Sequence, residues 1–228
     1  MTETFFVGID GPAGSGKSSV SKQAARRLGF GYLDTGAVYR ALAWHVRHRG
    51  ESTDDPEAVE AGFDTFDPRI GLDPDDRTVR VGGEDITDAI RTPETTAAVA
   101  GVAKTLPVRE RINALFRRIV AEAPQPGVIV EGRDITTVVA PDAPVRILLT
   151  AHPDVRAARR SAEMGADDVA KVAEAMRRRD ASDSTVVDFL NAADGVMAID
   201  TTHLDFDQSV DAVLAAIDER REDGRDGR

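Results

Sequence analysis

Gly11-Pro12-Ala13-Gly14-Ser15-Gly16-Lys17-Ser18-Ser19, entered directly from Phe5-Phe6-Val7-Gly8-Ile9, decides the fold of this chain. The spacing is G-x-x-x-x-G-K-[ST] between an apolar strand and a helical pattern, the setting in which that spacing forms a phosphate-binding loop. Glycines at 11, 14 and 16 allow backbone conformations closed to residues with a Cβ, so successive N–H groups can turn toward phosphate oxygens. Lys17 reaches the terminal phosphates, Ser18 offers its hydroxyl to Mg²⁺, and the positive end of the following helix faces the anion. That helix carries Val20, Ala24, Ala25 and Leu28 on one stripe and meets a stop at Gly29. Residues 11–19 are therefore expected to bind a nucleoside triphosphate.

Working outward, five apolar runs read as strands: Phe5 to Ile9, Tyr32 to Leu33, Val128 to Val130, Val145 to Leu149, and Met197 to Ile199. Helical patterns separate most of them, which predicts an α/β layer structure with a mainly parallel sheet and ligands beyond the carboxyl ends of the strands. Polar residues gather at those ends, as Asp34-Thr35, Glu131-Gly132-Arg133-Asp134 and Thr150 to His152, and Pro153 marks a helix start. Thr78-Val79-Arg80-Val81, Gly82-Gly83 and Glu84-Asp85-Ile86-Thr87 read as an antiparallel hairpin inserted between about 62 and 101. The spacing predicts another helix over 109–120. The charged stretch from Glu219 to Arg228 reads as a frayed tail. The acidic run Asp73 to Asp76 reads as a solvated loop, and Trp44 as a packing residue beside surface histidines.

Composition narrows the function classes. A chain of 228 residues can form one domain, and with no cysteine it offers neither disulfides nor thiolate-ligated metal. No apolar run approaches the length needed to span a membrane, so a cytoplasmic setting is expected. The net charge of −11 disfavours nucleic acid and anionic membranes as general partners. Of 29 basic residues only those at 17, 22, 104 and 171 are lysine, and the remaining 25 are arginine.

A phosphate loop alone does not separate a kinase from a switch or motor. Thr35 and Arg40 stand at the start of the helix after the second strand, and Arg133 follows the third. Arg156, Arg159 and Arg160 share a helical face by spacing, and Arg177-Arg178-Arg179-Asp180 forms a further cluster. Several cationic groups near strand ends point to a site where two phosphate-bearing ligands meet end to end. Other readings are a small-molecule kinase for a different acceptor, a regulatory nucleotide switch, and a nucleic-acid-dependent ATPase, the last opposed by charge.

The motifs GPAGSGKS, YLDTGAVYRA, EDITDAIRT, Leu106-Pro107-Val108-Arg109-Glu110, EGRDITTVVAPDAPV and RRRDASDS occur in the order and approximate spacing of bacterial cytidylate kinase, a P-loop nucleoside monophosphate kinase family that the chain resembles from Phe5 to about Ile217. The resemblance implies a P-loop NTPase three-layer fold with a five-stranded parallel core (about 1–61, 102–152 and 192–218), a small antiparallel monophosphate-binding insertion (62–101) and a helical lid (153–191). It implies an ATP- and Mg²⁺-dependent kinase converting CMP or dCMP to the diphosphate, as a monomer with no nucleic-acid or membrane partner. Thr35 and Arg40 then match monophosphate-binding positions. Arg109 and Asp134 match base-recognising positions, Arg133 a phosphate ligand, and Arg179 with Asp183 ribose-binding positions. Lys17, Arg133, Arg156 and Arg160 are the expected catalytic cations, and Ser18 the metal ligand.

Phosphoryl transfer to a phosphate acceptor needs no serine–histidine pair, because the nucleophile is already anionic; positioning and charge neutralisation suffice. Cytosine donates from N4 and accepts at N3 and O2, which suits a carboxylate and an arginine. Uracil would set oxygen against the carboxylate. Ala100, Thr136 and Val186 depart from the family's usual serine, glycine and arginine, and Arg177 or Arg178 is the expected substitute for the missing cation.

Overall fold

The computed structural model describes residues 4–165, 168–185 and 187–226. Its core is a five-stranded sheet of β1 (Phe5–Asp10), β2 (Gly31–Asp34), β6 (Gly127–Gly132), β7 (Val145–Thr150) and β8 (Met197–Asp200). The order is β2-β6-β1-β7-β8 with every pairing parallel. Both faces are covered, as a parallel sheet requires. On one side Val7, Ile9 and Ile129 pack with Val20 and Ala24 of α1 (Lys17–Leu28) and Val210, Val213 and Ile217 of α8 (Phe206–Asp226). On the other, Val128 and Val130 pack with Val38 and Leu42 of α2 (Thr35–His48) and Ile112 and Phe116 of α5 (Leu106–Ala121). Successive residues of one strand thus feed opposite cores, the period-two alternation of a strand buried on both faces.

Between α2 and α5 lie α3 (Pro56–Asp64), the strands β3 (Pro68–Ile70), β4 (Val79–Val81) and β5 (Glu84–Asp85), a 3₁₀ turn (Ala89–Arg91), and α4 (Pro93–Lys104). The expected hairpin is present as β4 and β5, turned through Gly82 and Gly83, and β3 adds a third antiparallel strand. The insertion is tied to the core along the edge of β2, where Tyr32 N–H donates to the Leu72 carbonyl at 2.8 Å. Arg26 of α1 also pairs with Asp75 at 2.6 Å, so the acidic loop is anchored as well as solvated.

After β7 come α6 (Pro153–Met164) and α7 (Val169–Ser184). Ala157, Val172 and Met176 form a small separate core against Ala13 of the phosphate loop. The frayed tail expected from Glu219 onward is instead helical through Asp226, and Arg221 stacks over Phe30 at 5.7 Å. Residues 227 and 228, and Val186, lie outside the described residues. Among the described residues no helix is long and apolar enough to cross a membrane.

Candidate active site

The phosphate loop joins β1 to α1 at the carboxyl edge of the sheet. Gly14 and Gly16 hold φ of 71° and 87°, and a Cβ on Gly14 would come within 2.7 Å of the Arg156 carbonyl oxygen and of Met176 Cε. A side chain at Gly14 would therefore break both the loop's conformation and its contact with the lid helices. Lys17 donates to the Pro12 carbonyl at 3.3 Å, curling over the loop it will fill. Burial, and next the Arg133 guanidinium, pull the Lys17 ammonium down to about 8, against the attraction of Glu131. Ser19 is exposed beside Ser18 on the first turn of α1.

Ser18 donates its hydroxyl to the Glu131 carboxylate, with both carboxylate oxygens at 2.9–3.0 Å. Burial pushes the Glu131 carboxyl up, and Lys17 opposes this. A buried carboxylate joined to the loop hydroxyl is a hard-oxygen donor set suited to Mg²⁺, which takes one or two carboxylates and completes its shell with water and substrate phosphate. That requirement is modest, and among the described residues no larger cluster of three or more acidic or histidine side chains is assembled.

A second cluster of charged and polar groups adjoins the Glu131 end of β6. Asp34 ends β2 and does two things at once: one oxygen accepts from Ala37 N–H at 2.9 Å to cap α2, and the other pairs with Arg40 at 3.0 Å. Burial pushes the Asp34 carboxyl up, but Arg40 and the cap outweigh it and hold it below its ordinary value. Thr35 donates its hydroxyl to the Glu131 carbonyl at 2.8 Å, which ties the start of α2 to the end of β6. Arg91, at the end of the insertion, donates to the Thr87 carbonyl and is close enough to Arg40 and Arg77 for its charge to be disfavoured after burial is counted. Motif reading passed over Arg91, although it is the basic residue of EDITDAIRT.

Next to these, Arg109 and Asp134 pair at 2.5 Å, with Arg109 also donating to the Ala103 carbonyl at 3.2 Å. Arg133 donates to the Gly11 carbonyl and to Asp183 at 3.0 Å, and its guanidinium lies 4.6 Å from the Phe189 ring centre. Arg156 donates to the Ala13 carbonyl at 2.8 Å and to Asp180 at 2.7 Å, while Asp180 accepts from Ala13 N–H at 3.2 Å. Helices α6 and α7 thus grip both backbone groups of one loop residue. Arg179 stands within 3.8 Å of Asp183, and burial and Arg133 both disfavour its charge.

Four arginines fall outside the cluster. Arg160 reaches Glu163 at 3.0 Å and is half exposed. Arg159 turns to the Thr201 and Leu204 carbonyls, at 2.7 and 3.0 Å, and so braces the loop after β8. Arg177 and Arg178 both pair with Glu174 on the exposed side of α7, which corrects the expectation that one of them replaces the missing base-site cation. Ala100 is exposed on α4, and Thr136 is buried against Asp10.

Ser15 Oγ, Arg40 Nε and Arg156 Nε are buried and unpaired, and all three are donors. Unpaired buried donors are costly, and anionic oxygens entering between loop, α2 and lid would satisfy them.

Fold and site together define a P-loop kinase with a donor cradle and a facing acceptor-phosphate site. The profile of the cytidylate kinase family matches residues 7–219, and the chain belongs to that family. It is 46% identical over 215 residues to the cytidylate kinase of Cutibacterium acnes, covering 93% of this chain and 96% of that one. To the cytidylate kinase of Streptomyces coelicolor it is 46% identical over 217 residues, covering 95% and 94%. Among solved structures, an uncharacterised protein from Eubacterium ventriosum superposes with a TM-score of 0.53 at 13% identity, covering 94% of this chain and 99% of that one, a likeness of fold alone.

Proposed function

We propose that this kinase transfers the γ-phosphoryl group of ATP to CMP or dCMP, giving ADP and the corresponding diphosphate, as a cytoplasmic monomer without nucleic-acid or membrane partners. The observation that carries the acceptor assignment is the Arg109–Asp134 pair, buried near Tyr39 and next in sequence to Arg133, which donates to the Gly11 carbonyl of the phosphate loop. Asp134 accepts from cytosine N4, and Arg109 donates to N3 and O2. Arg40, Arg91 and Arg133 hold the acceptor phosphate, with Thr35 at the helix start beside it. Arg179 and Asp183 meet the ribose.

The loop amides, Ser15 and Lys17 hold the outer phosphates of ATP, and Arg133 and Arg156, which donate to the loop carbonyls of Gly11 and Ala13, compensate the transferring group together with Arg160 of α6. Arg160 must leave Glu163 to take part. Ser18 and Glu131 would hold Mg²⁺, whose contribution when bound is to neutralise charge on the β- and γ-oxygens. These residues orient two anions in line and compensate the charge spread over the equatorial oxygens, and no base is required.

A coupled assay of ADP formation with ATP and, in turn, CMP, dCMP, UMP, AMP and GMP tests the proposal. CMP and dCMP should be turned over best. Equal turnover of UMP, or turnover of a purine monophosphate in preference, would refute it.

A further inference from the structure

Asp10 is the last residue of β1 and precedes the phosphate loop, yet its carboxylate serves the acceptor side. Oδ1 accepts from Ile135 N–H at 3.0 Å, and Oδ2 accepts from Thr136 N–H at 2.8 Å and from the Thr136 hydroxyl at 2.7 Å. These are the opening residues of a π-helical turn, Ile135–Val139, and Asp10 caps that turn from a different strand. Asp10 is 2% exposed and Thr136 3%. The close approach depends on Gly8, where a Cβ would already lie 3.1 Å from Ile135 Cγ2 and 3.5 Å from Thr136 Cγ2.

The turn so held begins immediately after Asp134. One residue earlier, Arg133 donates to the carbonyl of Gly11, the neighbour of Asp10. Two ties therefore join residues 10–11 to residues 133–136, one through a side chain from each segment. Neither oxygen of Asp10 is left to act on a substrate. Burial pushes the Asp10 carboxyl up, and the Thr136 hydroxyl is foremost among the groups that pull it back, followed by the two backbone N–H groups, while Asp134 adds to the upward push.

We propose that Asp10, completed by the Thr136 hydroxyl, is a positioning residue that sets where Asp134 and Arg133 stand relative to the phosphate loop, so that base recognition and phosphoryl transfer share one register. The proposal rests on the assignment of Asp134 to the acceptor base.

The test uses the full chain with Asp10→Asn, Thr136→Val and Thr136→Ser, measuring kcat and KM for CMP and UMP at saturating ATP, the affinity for a non-hydrolysable ATP analogue, and the unfolding midpoint. An asparagine at 10 must turn its NH₂ toward either the Ile135 N–H or the Thr136 N–H and hydroxyl, and loss of hydrogen bonds to a charged group should lower kcat/KM for CMP by about tenfold or more. The CMP-to-UMP ratio should fall with it, while the affinity for the ATP analogue changes by less than about threefold. Thr136→Val should move the same quantities in the same direction, and Thr136→Ser should restore them to within about twofold. A purely structural role would lower the unfolding midpoint and weaken both ligands alike. The proposal fails if folded Asp10→Asn keeps its KM and base preference. If Asp10→Asn does not fold, it fails when Thr136→Val and Thr136→Ser behave identically. A wild-type protein inactive on CMP but active on another monophosphate would instead defeat the substrate assignment, and the same donor-against-acceptor split would then be read with that monophosphate.

Discussion

The carboxylate of Asp134 and the guanidinium of Arg109 meet at 2.5 Å, with about a tenth of either side chain exposed. Neither is free to pair with bulk water, so the pair presents fixed donors and acceptors to whatever base lies against it. Asp134→Ala should abolish the preference for CMP over UMP, a loss of about ten- to hundredfold in relative kcat/KM, since the discrimination comes from an unpaired polar group in the wrong complex. Burial pushes the Asp134 carboxyl up, with Arg109 opposing, so the wild-type preference should hold at neutral pH and weaken on acidification as the carboxylate takes up a proton. Competition kinetics with mixed CMP and UMP at several pH values checks both statements.

Arg40 carries a buried, unpaired Nε and leans on Asp34 at 3.0 Å. Arg40→Lys keeps the charge and loses the planar fork, so KM for CMP should rise about tenfold while KM for ATP stays within about twofold. Initial rates with each substrate varied in turn measure this. An equal rise in both would mean that Arg40 serves the donor.

Lys17, drawn down to about 8 in the free protein, should be restored toward its ordinary value by a bound polyanion. Below about pH 8 both free and bound protein hold the proton, and affinity for ATP is flat. Above it the free protein has lost a proton that the complex retains, so affinity falls as pH rises, by up to about tenfold per unit until the complex itself titrates. Calorimetric titration at pH 7, 8 and 9 should show this loss, with proton uptake on binding appearing near pH 8. Lys17→Arg should flatten the profile.

Phe116, on α5, is completely buried against Tyr39 and the sheet. Phe116→Ala should destabilise the fold by about 3–5 kcal/mol and lower the midpoint of thermal unfolding by roughly 6–20 °C. Differential scanning calorimetry gives the shift, and activity well below the new midpoint should be largely retained.

The sheet was legible because its signals are local. Val7, Ile9, Val128, Val130, Ile147 and Leu149 form short apolar runs, and the glycine–lysine spacing fixes the first strand-to-helix junction. β3 carries no such signal, since Pro68-Arg69-Ile70 is three residues long with an exposed centre, and it exists through its pairing with β4. The tail looked frayed because charge dominates it. What extends α8 is tertiary contact, including Arg221 over Phe30, which residue composition does not reveal. In the site, motif spacing singled out candidate cations but not the carboxylates that the fold sets against them. Arg177, Arg178 and Arg179 are consecutive, yet a helix turns about 100° per residue. Arg179 therefore approaches Asp183 and the cleft, while its two neighbours meet Glu174 one turn back. Asp34, Glu131 and Asp180 read as ordinary acidic residues until the fold sets each against a particular cation.

Those carboxylates give the resting cleft its character. Arg40 faces Asp34, Arg109 faces Asp134, Arg133 faces Asp183, and Arg156 faces Asp180, so the guanidinium groups are neutralised one by one before any nucleotide arrives. An anion that offers a single charge meets only a few unpaired donors, such as Arg40 Nε and Arg156 Nε, and gains little by displacing one carboxylate. A ligand pair that engages several guanidinium groups at once completes the exchange, so the cleft favours multiply charged ligands held side by side over a lone phosphate. That selectivity comes from compensation at individual positions, and the protein's overall acidity merely extends it to long range.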